Sequence, residues 1–258
     1  MSDNNQYPII DFDPDRDAII RPFITEDPPD FPELVVMCFF KEVVEKVAEQ
    51  TAARTVYVGK SEVGLVPYYE MNYQGERVGF FQALVGAPLA VGFMEIAIAM
   101  GGKKFIVCGG SGVLNPDLAV GHIIIPIAAV RDEGTSYHYL PPGFEIALNP
   151  RVVQRIESVV RGENLPYLLT KTWTTDAFYR ETKGRAAQFK QAGCDCVDME
   201  ASALAALAEF HGVEFGALFY GGDLVHADGW DHRGWNNRTE IRENLFWLAV
   251  KACLSLKE

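Results

Sequence analysis

Short apolar runs alternate with helical patterns along most of this chain, and that alternation constrains its fold more than any other feature. Leu34–Cys38 is an apolar run of the buried-strand type, and a helical pattern with valines on one face follows from Lys41. Similar apolar runs cover Lys103–Cys108 and Phe215–Tyr220. Apolar strands separated by helices predict a mainly parallel or mixed sheet covered by helices on both faces.

The same periodicities predict the remaining elements. Two strand patterns flank Gly75 and indicate a hairpin. A nearly all-apolar helix over 87–100 ends at Gly101 and Gly102, as glycine commonly terminates helices. Further strands are predicted at 123–129 and 167–173, and further helices near 150–161, near 181–191, after Glu200 and from about Arg238.

The N-terminal residues differ in composition from the rest. Residues 1–33 carry six prolines among acidic residues, which favours an extended arm over a helix or an interior strand. The remaining residues, 34–258, have a length typical of one α/β domain. We therefore predict an arm over 1–33 that wraps the domain or a neighbouring subunit, followed by a single domain.

Charge and cysteine content exclude several classes of function. A net charge of −12 repels polyanions, which argues against nucleic acid and anionic membranes as partners. Five scattered cysteines do not form a disulfide framework, and we expect reduced thiols. The acidic start lacks the features of a signal peptide, and no apolar stretch is long enough to span a bilayer. We expect a soluble, cytoplasmic protein.

Three segments that follow strands are candidate ligand loops, because ligands bind at strand ends in such sheets. They are 109–112, 173–180 and 221–238. Gly109, Gly110 and Ser111 offer a backbone that a ligand can approach closely, although glycines after a strand also simply make tight turns. The crowded residues His226, Asp228, Asp231 and His232 favour a mobile polar lid, and we expect no metal site.

Three side chains near these segments allow two interpretations each. Glu200 is either a first-turn helix acid or a carboxylate that accepts bonds from two sugar hydroxyls. Asp223 is either a turn residue or a general acid. Phe178 is either a core aromatic or a surface on which a heterocycle stacks.

Five stretches together resemble the nucleoside phosphorylases and the related nucleosidases. They are KKFIVCGGSGVL at 103–114, GHIIIPIAAVRDEGTSYHYLPP at 121–142, TTDAFY at 174–179, VDMEASALAALAEFHGV at 197–213 and GGD at 221–223. The resemblance runs from about Leu34 to the C-terminus. It implies a three-layer α/β/α single domain with a central mixed sheet, a homo-oligomer (dimer, trimer or hexamer) and a small-molecule nucleoside as substrate. Within the second stretch, VRDEGTSYHY is most similar to the uridine phosphorylase branch.

The resemblance also implies roles for individual residues. Met199 and Glu200 match the pair that holds the ribose, and Phe178 matches the aromatic residue that packs on the base. Asp223 matches the acid that protonates the base nitrogen in purine-type members, and Arg238 matches the arginine that assists it. Cleavage of the C1′–N bond places positive charge on the sugar and negative charge on the base, which suits an anion near one and a donor near the other.

Departures from the family pattern bear on the base and on the acceptor. Thr182 and Gly184 replace the glutamine and arginine that read uracil. The expected phosphate ligands are absent, with Val107 and Gly110 at two of their positions. Glu42 matches the glutamate that activates water in nucleosidases, although it is also an ordinary first-turn helix acid. Gly222 replaces the serine or threonine that normally precedes the acid at 223.

The sequence therefore predicts an enzyme of purine salvage that cleaves a purine-type nucleoside without a cofactor. Water is favoured over phosphate as the acceptor, with phosphate as the alternative co-substrate. Two other interpretations remain open at this point. One is a phosphate-dependent, uridine-like phosphorylase, and the other is a relative that binds nucleosides without turning them over.

Overall fold

The computed structural model describes residues 7–23, 27–226 and 229–257. The strands in this part of the chain are β1 Leu34–Cys38, β2 Arg54–Ser61, β3 Gly64–Tyr73, β4 Glu76–Gln82, β5 Lys104–Val113, β6 Ile123–Asp132, β7 Glu145–Ala147, β8 Tyr167–Thr175, β9 Cys194–Asp198, β10 Glu214–His226 and β11 Gly229–Asp231. The α-helices are α1 Lys41–Gln50, α2 Ala87–Ala99, α3 Pro150–Gly162, α4 Lys183–Gln191, α5 Ala201–His211 and α6 Thr239–Ser255.

All the described strands belong to one mixed sheet. Their order is β11-β10-β6-β8-β9-β5-β1-β4-β3-β2, and β7 pairs with β6. A further pairing between β10 and β5 closes the five strands β10, β6, β8, β9 and β5 into a barrel. The strand β1 lies between two parallel neighbours, β4 and β5, and all five of its residues are buried. Its continuous apolar run follows from burial on both faces.

The helices cover the sheet in two groups. Helix α6 contacts both α1 and α3, and it also packs on β1 and β5. Helices α2 and α5 form the second group, and α5 packs on β6 and β10. The predicted three-layer α/β/α fold with a central mixed sheet is therefore confirmed.

The structure corrects the prediction for the glycine segment at 109–112. These residues are not a loop after a strand, because β5 continues through Val113. Gly109 and Gly110 pair with Phe219 and Tyr220 of β10, and Gly112 pairs with Val197 of β9. Their backbone N–H and C=O groups are thus part of the hydrogen-bonded pairing between strands. The glycines are needed for close packing, since a Cβ atom at Gly112 would lie 2.7 Å from the Val197 side chain.

Sequence periodicity also missed strands. Arg54–Ser61 was not predicted, because only one of its eight residues is buried and the apolar alternation is weak. The hairpin around Gly75 is confirmed: β3 and β4 are antiparallel, and Gly75 has a φ of +85°. The predicted 221–238 loop is wrong over its first part, where β10 extends to His226 and pairs with β11.

The N-terminal arm is described over residues 7–23 and 27–33, while 1–6 and 24–26 lie outside the described residues. One 3₁₀ turn, Pro8–Ile10, is its only regular element there. Arg16 donates a hydrogen bond to the Phe210 carbonyl, and Phe31 is buried against Gly79. The arm thus packs on the domain, and its division from the domain at residue 33 stays a prediction. In the described parts of the chain, no helix combines the length and apolarity needed to cross a membrane.

Candidate active site

The strand register brings the three predicted ligand segments to one edge of the barrel. Ser111 of β5 pairs with Gly221 of β10, and the next residue, Gly112, pairs with Val197 of β9. The residues that follow β9 therefore lie on one side of β5, and Asp223 lies on the other. Thr174 of β8 pairs with Asp198 and adds the segment that contains Phe178.

Asp198 holds this arrangement together. It is buried, and its Oδ1 accepts hydrogen bonds from the hydroxyls of Thr172 and Thr174 at 2.8 and 2.9 Å. Its Oδ2 accepts from the amides of Glu200 and Ala201 at 2.7 and 2.6 Å. Because four donors satisfy this carboxylate, we assign Asp198 the structural role of fixing the start of α5.

Glu200 is almost completely buried, and the backbone amides of Gly86 and Met199 donate to its carboxyl. Its side chain is 6% exposed, and its Oε1 accepts from the amide of Gly86 at 2.5 Å. Gly86 precedes α2 with a φ of +98°, a conformation that favours glycine. Burial, together with the nearby charge of Asp198, raises the pKa of Glu200 to about 8. The carboxyl oxygens can accept further hydrogen bonds from a ligand.

The raised pKa of Glu200 predicts a pH-dependent effect on stability. Its native pKa lies above the ordinary value of 4.5, so stability should fall as the pH rises between about 4.5 and 8. Glu200→Gln removes this titration. Relative to wild type, we expect the free energy of unfolding of Glu200→Gln to increase from pH 5 to pH 8 by at most about 1.4 kcal/mol per pH unit. Its melting temperature relative to wild type should rise over the same range. Thermal unfolding without ligand at several pH values measures this, and a constant difference would contradict it.

Ser111 carries a buried hydroxyl on β5. The residue is 4% exposed, and its Oγ has no hydrogen-bond partner among the described residues. The thiol of Cys196 lies beside it, but a thiol is a weak hydrogen-bonding group, so we treat the hydroxyl as unpartnered. An unpartnered buried hydroxyl is costly, and a ligand group at this position would satisfy it.

Asp223 lies at an irregularity in β10, where the register with β5 shifts between Gly221 and Leu224. Its Oδ2 accepts a hydrogen bond from the indole Nε1 of Trp230 at 2.6 Å. Glu181 lies close enough for the two carboxylates to interact. Burial raises the pKa of Glu181 to about 7, and the charge of Asp223 contributes to the increase. Asp223 is thus one member of a carboxyl pair.

The segment from Asp176 to Glu181 connects the two acids. Asp176 acts electrostatically on Glu200, and Glu181 interacts with Asp223 at the other end. Phe178, between them, is 48% exposed, and its ring contacts Tyr179 with centroids 4.1 Å apart. Its exposure excludes the interpretation of Phe178 as a core aromatic. Met199 is partly buried next to Glu200.

Glu42 lies in the first turn of α1, and the structure pairs it with an arginine that sequence reasoning missed. Its Oε1 is 2.8 Å from Nη1 of Arg242, and 48% of its side chain is exposed. The Arg242 guanidinium lies 4.1 Å from the centroid of the Phe40 ring, and its buried Nε has no partner among the described residues. Glu42 and Arg242 both interact electrostatically with the hydroxyl of Tyr220.

Two arginines near this edge, Arg238 and Arg131, donate their hydrogen bonds to groups outside the candidate site. Arg238 precedes α6 and donates to the carbonyl of Arg233 at 3.3 Å, whereas it was expected to assist Asp223. Arg131 is buried and donates to Ser136 Oγ and to the carbonyls of Leu140 and Pro141, so it offers no free guanidinium nitrogen to a phosphate. Arg131 therefore organises the loop after β6.

Two aromatic rings cover the glycines at the edge of β5. A Cβ atom at Gly109 would lie 2.6 Å from the Phe39 ring, and one at Gly110 would lie 3.4 Å from the Trp235 ring. The Trp235 side chain also lies against Gly222, and its carbonyl accepts from the Tyr220 hydroxyl at 2.8 Å. The segment 229–237 therefore covers this edge of the barrel.

The sequence offered little signal for the additional residues. Glu181 and Trp230 lie in segments without periodicity, and only the fold brings them to Asp223. Arg242 lies on a helix whose pattern identifies the core face but not the side chain's partner. Of the residues considered for a metal, Asp228 lies outside the described residues. Over 7–23, 27–226 and 229–257, no cluster of three or more His, Cys, Asp or Glu residues is suited to a metal ion.

Comparison with known proteins identifies relatives of the whole domain. The family model described as the phosphorylase superfamily matches residues 33–254. A guanosine phosphorylase from Halorubrum lacusprofundi is 24% identical over 57% of this chain and 61% of its own length. A uridine phosphorylase from Thermococcus kodakarensis is 27% identical over 57% of this chain and 58% of its own length. The matched regions therefore span about 60% of these relatives.

A solved structure extends the likeness to nearly the whole fold. The AMP nucleosidase from Bacteroides thetaiotaomicron VPI-5482 superimposes with a TM-score of 0.70 at 22% identity. The superposition covers 88% of this chain and 89% of that protein. Identity this low establishes a shared fold and no more.

Proposed function

The chain belongs to the phosphorylase superfamily, and we propose that it is an enzyme that cleaves the N-glycosidic bond of purine-type nucleosides with water as the acceptor. Glu200 accepts hydrogen bonds from the sugar hydroxyls, with Met199 against the sugar. Phe178 packs on the base, and Asp223 donates a proton to a base nitrogen. The relatives include proteins named for guanosine and for uridine, so the choice of base rests on this chain's own residues.

One observation carries the proposal: a buried hydroxyl with no strong partner among the described residues lies on β5, and the strands on either side of it carry or lead to two acids suited to the two halves of a nucleoside. Ser111 Oγ is buried at the barrel edge, with Glu200 beyond β9 on one side and Asp223 in β10 on the other. Bond cleavage needs negative charge near the oxocarbenium-like sugar and a donor near the leaving base. The two carboxyls, on opposite sides of β5, match that requirement.

Two features support a purine-type base over uracil. Thr182, at the position of the family's uracil-reading glutamine, accepts a hydrogen bond from the Arg185 amide and caps α4. Gly184, at the arginine position, has no side chain with which to read a carbonyl. To Asp223, in contrast, we assign the protonation of a ring nitrogen, which the departure of a purine requires.

The surroundings of β5 support water as the acceptor. A phosphate dianion in a partly dry site needs several donors, since burying an unpaired charge costs several kcal/mol. The backbone of Gly109 and Gly110 is engaged in the ladder, the Phe39 ring covers Gly109, and Val107 is buried and apolar. Water needs only a positioned base, and Glu42 follows β1 at this edge.

One observation favours phosphate as a second candidate acceptor. Arg242 places a guanidinium beside Glu42 after the first strand, with a buried Nε that lacks a partner in the described residues. If phosphate displaced Glu42 from this guanidinium, Arg242 would supply a ligand that the family pattern does not include. In a phosphorylase of this kind, Glu42 would be dispensable.

A nucleoside panel with and without phosphate tests the proposed function. The protein is incubated with purine nucleosides and uridine, and free base, ribose and ribose 1-phosphate are quantified. We expect free purine base and free ribose without added phosphate. Strict dependence on phosphate would overturn hydrolysis, and binding without any released base would identify a non-catalytic nucleoside-binding relative.

The sugar-binding role of Glu200 predicts a selective loss of affinity. Above its pKa of about 8, Glu200 is a carboxylate that can make charge-assisted bonds with both hydroxyls, which an amide cannot make. At about pH 9, Glu200→Gln should therefore cost about 1.5 to 3 kcal/mol, or roughly 10- to 150-fold in affinity. Titration with an unreactive nucleoside analogue measures the loss. Glu209→Gln, an exposed position on the same helix, is the matched control. Equal handling of a 2′,3′-dideoxynucleoside and its parent by wild type would refute the assignment.

A further inference from the structure

We propose that Trp230 is a positioning residue that orients the Asp223 carboxyl and leaves Oδ1 as the oxygen that carries its transferable proton. The inference rests on the proposed function, because it assigns Trp230 a role only if Asp223 is the acid that protonates the leaving base.

The need for such a residue follows from the sequence around the acid. Gly222 precedes the acid and has no side chain, so the preceding residue offers no group that could hold the carboxyl. Asp223 also lies where the ladder between β10 and β5 is irregular, and regular pairing therefore does not fix its backbone. A general acid must be held in a defined orientation toward the atom that it protonates.

The hairpin between β10 and β11 supplies the missing donor. Leu224 pairs with Asp231, and Val225 pairs with Trp230. This pairing brings the Trp230 indole back toward Asp223, where Nε1 donates to Oδ2 at 2.6 Å. The residue is 63% exposed, which is more than core packing of a tryptophan would leave. The hydrogen bond, and not burial, is the contact that explains its position.

The direction of this hydrogen bond determines where the proton of the acid is held. An indole N–H only donates, so Oδ2 must act as an acceptor whenever the bond is formed. The protonated carboxyl therefore carries its hydrogen on Oδ1. From there the proton passes to the base nitrogen as the electrons of the C1′–N bond move onto the base, and Asp223 is left as a carboxylate. That carboxylate is stabilised by the same indole donor.

Other charged and titratable groups also surround this acid. Glu181 faces Asp223 from the segment after β8, and the charges of Asp223, Arg238, Arg242 and Glu42 all act on Tyr220. Arg233 donates to the Leu118 carbonyl at 2.8 Å, and the ring of His232 contacts that of Trp230. Asp223 thus has an acidic neighbour in Glu181, and Trp230 is its neutral donor.

Replacing Trp230 by phenylalanine removes the donor and retains an aromatic ring. For Trp230→Phe we expect kcat to fall about tenfold with little change in KM, because orientation and not affinity is lost. The matched control is Trp247→Phe, which should leave kcat and KM unchanged. Trp247 belongs to helix α6 and stacks on Tyr73 of β3.

A double variant and a spectroscopic measurement keep this inference separate from the proposed function. In the Asp223→Asn background, Trp230→Phe should cause no further loss of kcat. The chain has four tryptophans, so Trp230→Phe identifies the indole N–H resonance of Trp230, which should shift in Asp223→Asn. If Asp223→Asn is inactive while Trp230→Phe is normal, the positioning role is wrong and the proposed function stands. If Asp223→Asn remains active, the acid role fails, and the positioning role fails with it.

Discussion

Asp223→Asn should fold normally and release purine base at least about one hundredfold more slowly than wild type, the loss expected when a general acid is removed. Asparagine retains the shape of aspartate and can still accept the hydrogen bond from Trp230 Nε1, so the hairpin between β10 and β11 should persist. What it lacks is a transferable proton. Steady-state base release from a purine nucleoside, together with circular dichroism and thermal unfolding, measures both parts of this expectation.

A matched control exists in the same hairpin. Asp231 of β11 accepts a hydrogen bond from the Arg233 amide, and it is exposed and outside the proposed acid machinery. Asp231→Asn should therefore retain base release close to that of wild type. Near-normal turnover in Asp223→Asn would remove Asp223 from catalysis and leave Glu181 as the carboxyl to test next.

The second large effect concerns the acceptor. With water as the acceptor, Glu42→Gln should lose about two orders of magnitude in the rate of base release, because an amide cannot take a proton from the attacking water. The measured products should be free base and free ribose, in equal amounts and independent of added phosphate. Glu45→Gln, one turn further along α1 and paired at the surface with Lys41, is the matched control.

The ion pair between Glu42 and Arg242 makes a second variant necessary. Loss of activity in Glu42→Gln would also arise if Glu42 only held Arg242 in place. Arg242→Met separates these cases, because it removes the charge and leaves a side chain that can pack on Phe40. We expect Arg242→Met to retain hydrolysis. Formation of ribose 1-phosphate by wild type, lost in Arg242→Met but not in Glu42→Gln, would assign the protein to phosphorolysis.

The sequence alone determined the fold class and the order of most elements. Runs such as Leu34–Cys38 are apolar throughout because the central strands are buried on both faces, and this burial is visible in composition. Asp223 was expected at the end of a strand and instead lies within β10, whereas the sequence correctly placed Glu200 at the start of an apolar helix. Polar residues before an apolar run mark the start of a helix locally.

The local patterns failed where pairing and not periodicity decides the structure. The sequence pattern of the glycines at 109–112 indicated a turn or loop. In the structure they belong to a strand, because β9 and β10 pair with them on either side of β5. The strand β2 was missed because its residues are mostly exposed, and the β10–β11 pairing joins residues whose sequence shows no alternation. In each case the partner strand supplies the hydrogen bonds that stabilise the extended backbone.

Only the tertiary structure decided which side chains surround the acids. Closure of the barrel brings Glu181 to Asp223, the β10–β11 hairpin brings Trp230 to it, and helix α6 brings Arg242 to Glu42. These pairs, apart from Trp230 and Asp223, lie far apart in sequence, and electrostatic and hydrogen-bond energies depend on distances of a few ångströms. Sequence thus determined where helices such as the one after Glu200 begin, because helix starts are marked locally. The donors and counter-charges of the acids depend on long-range packing, which no local pattern specifies.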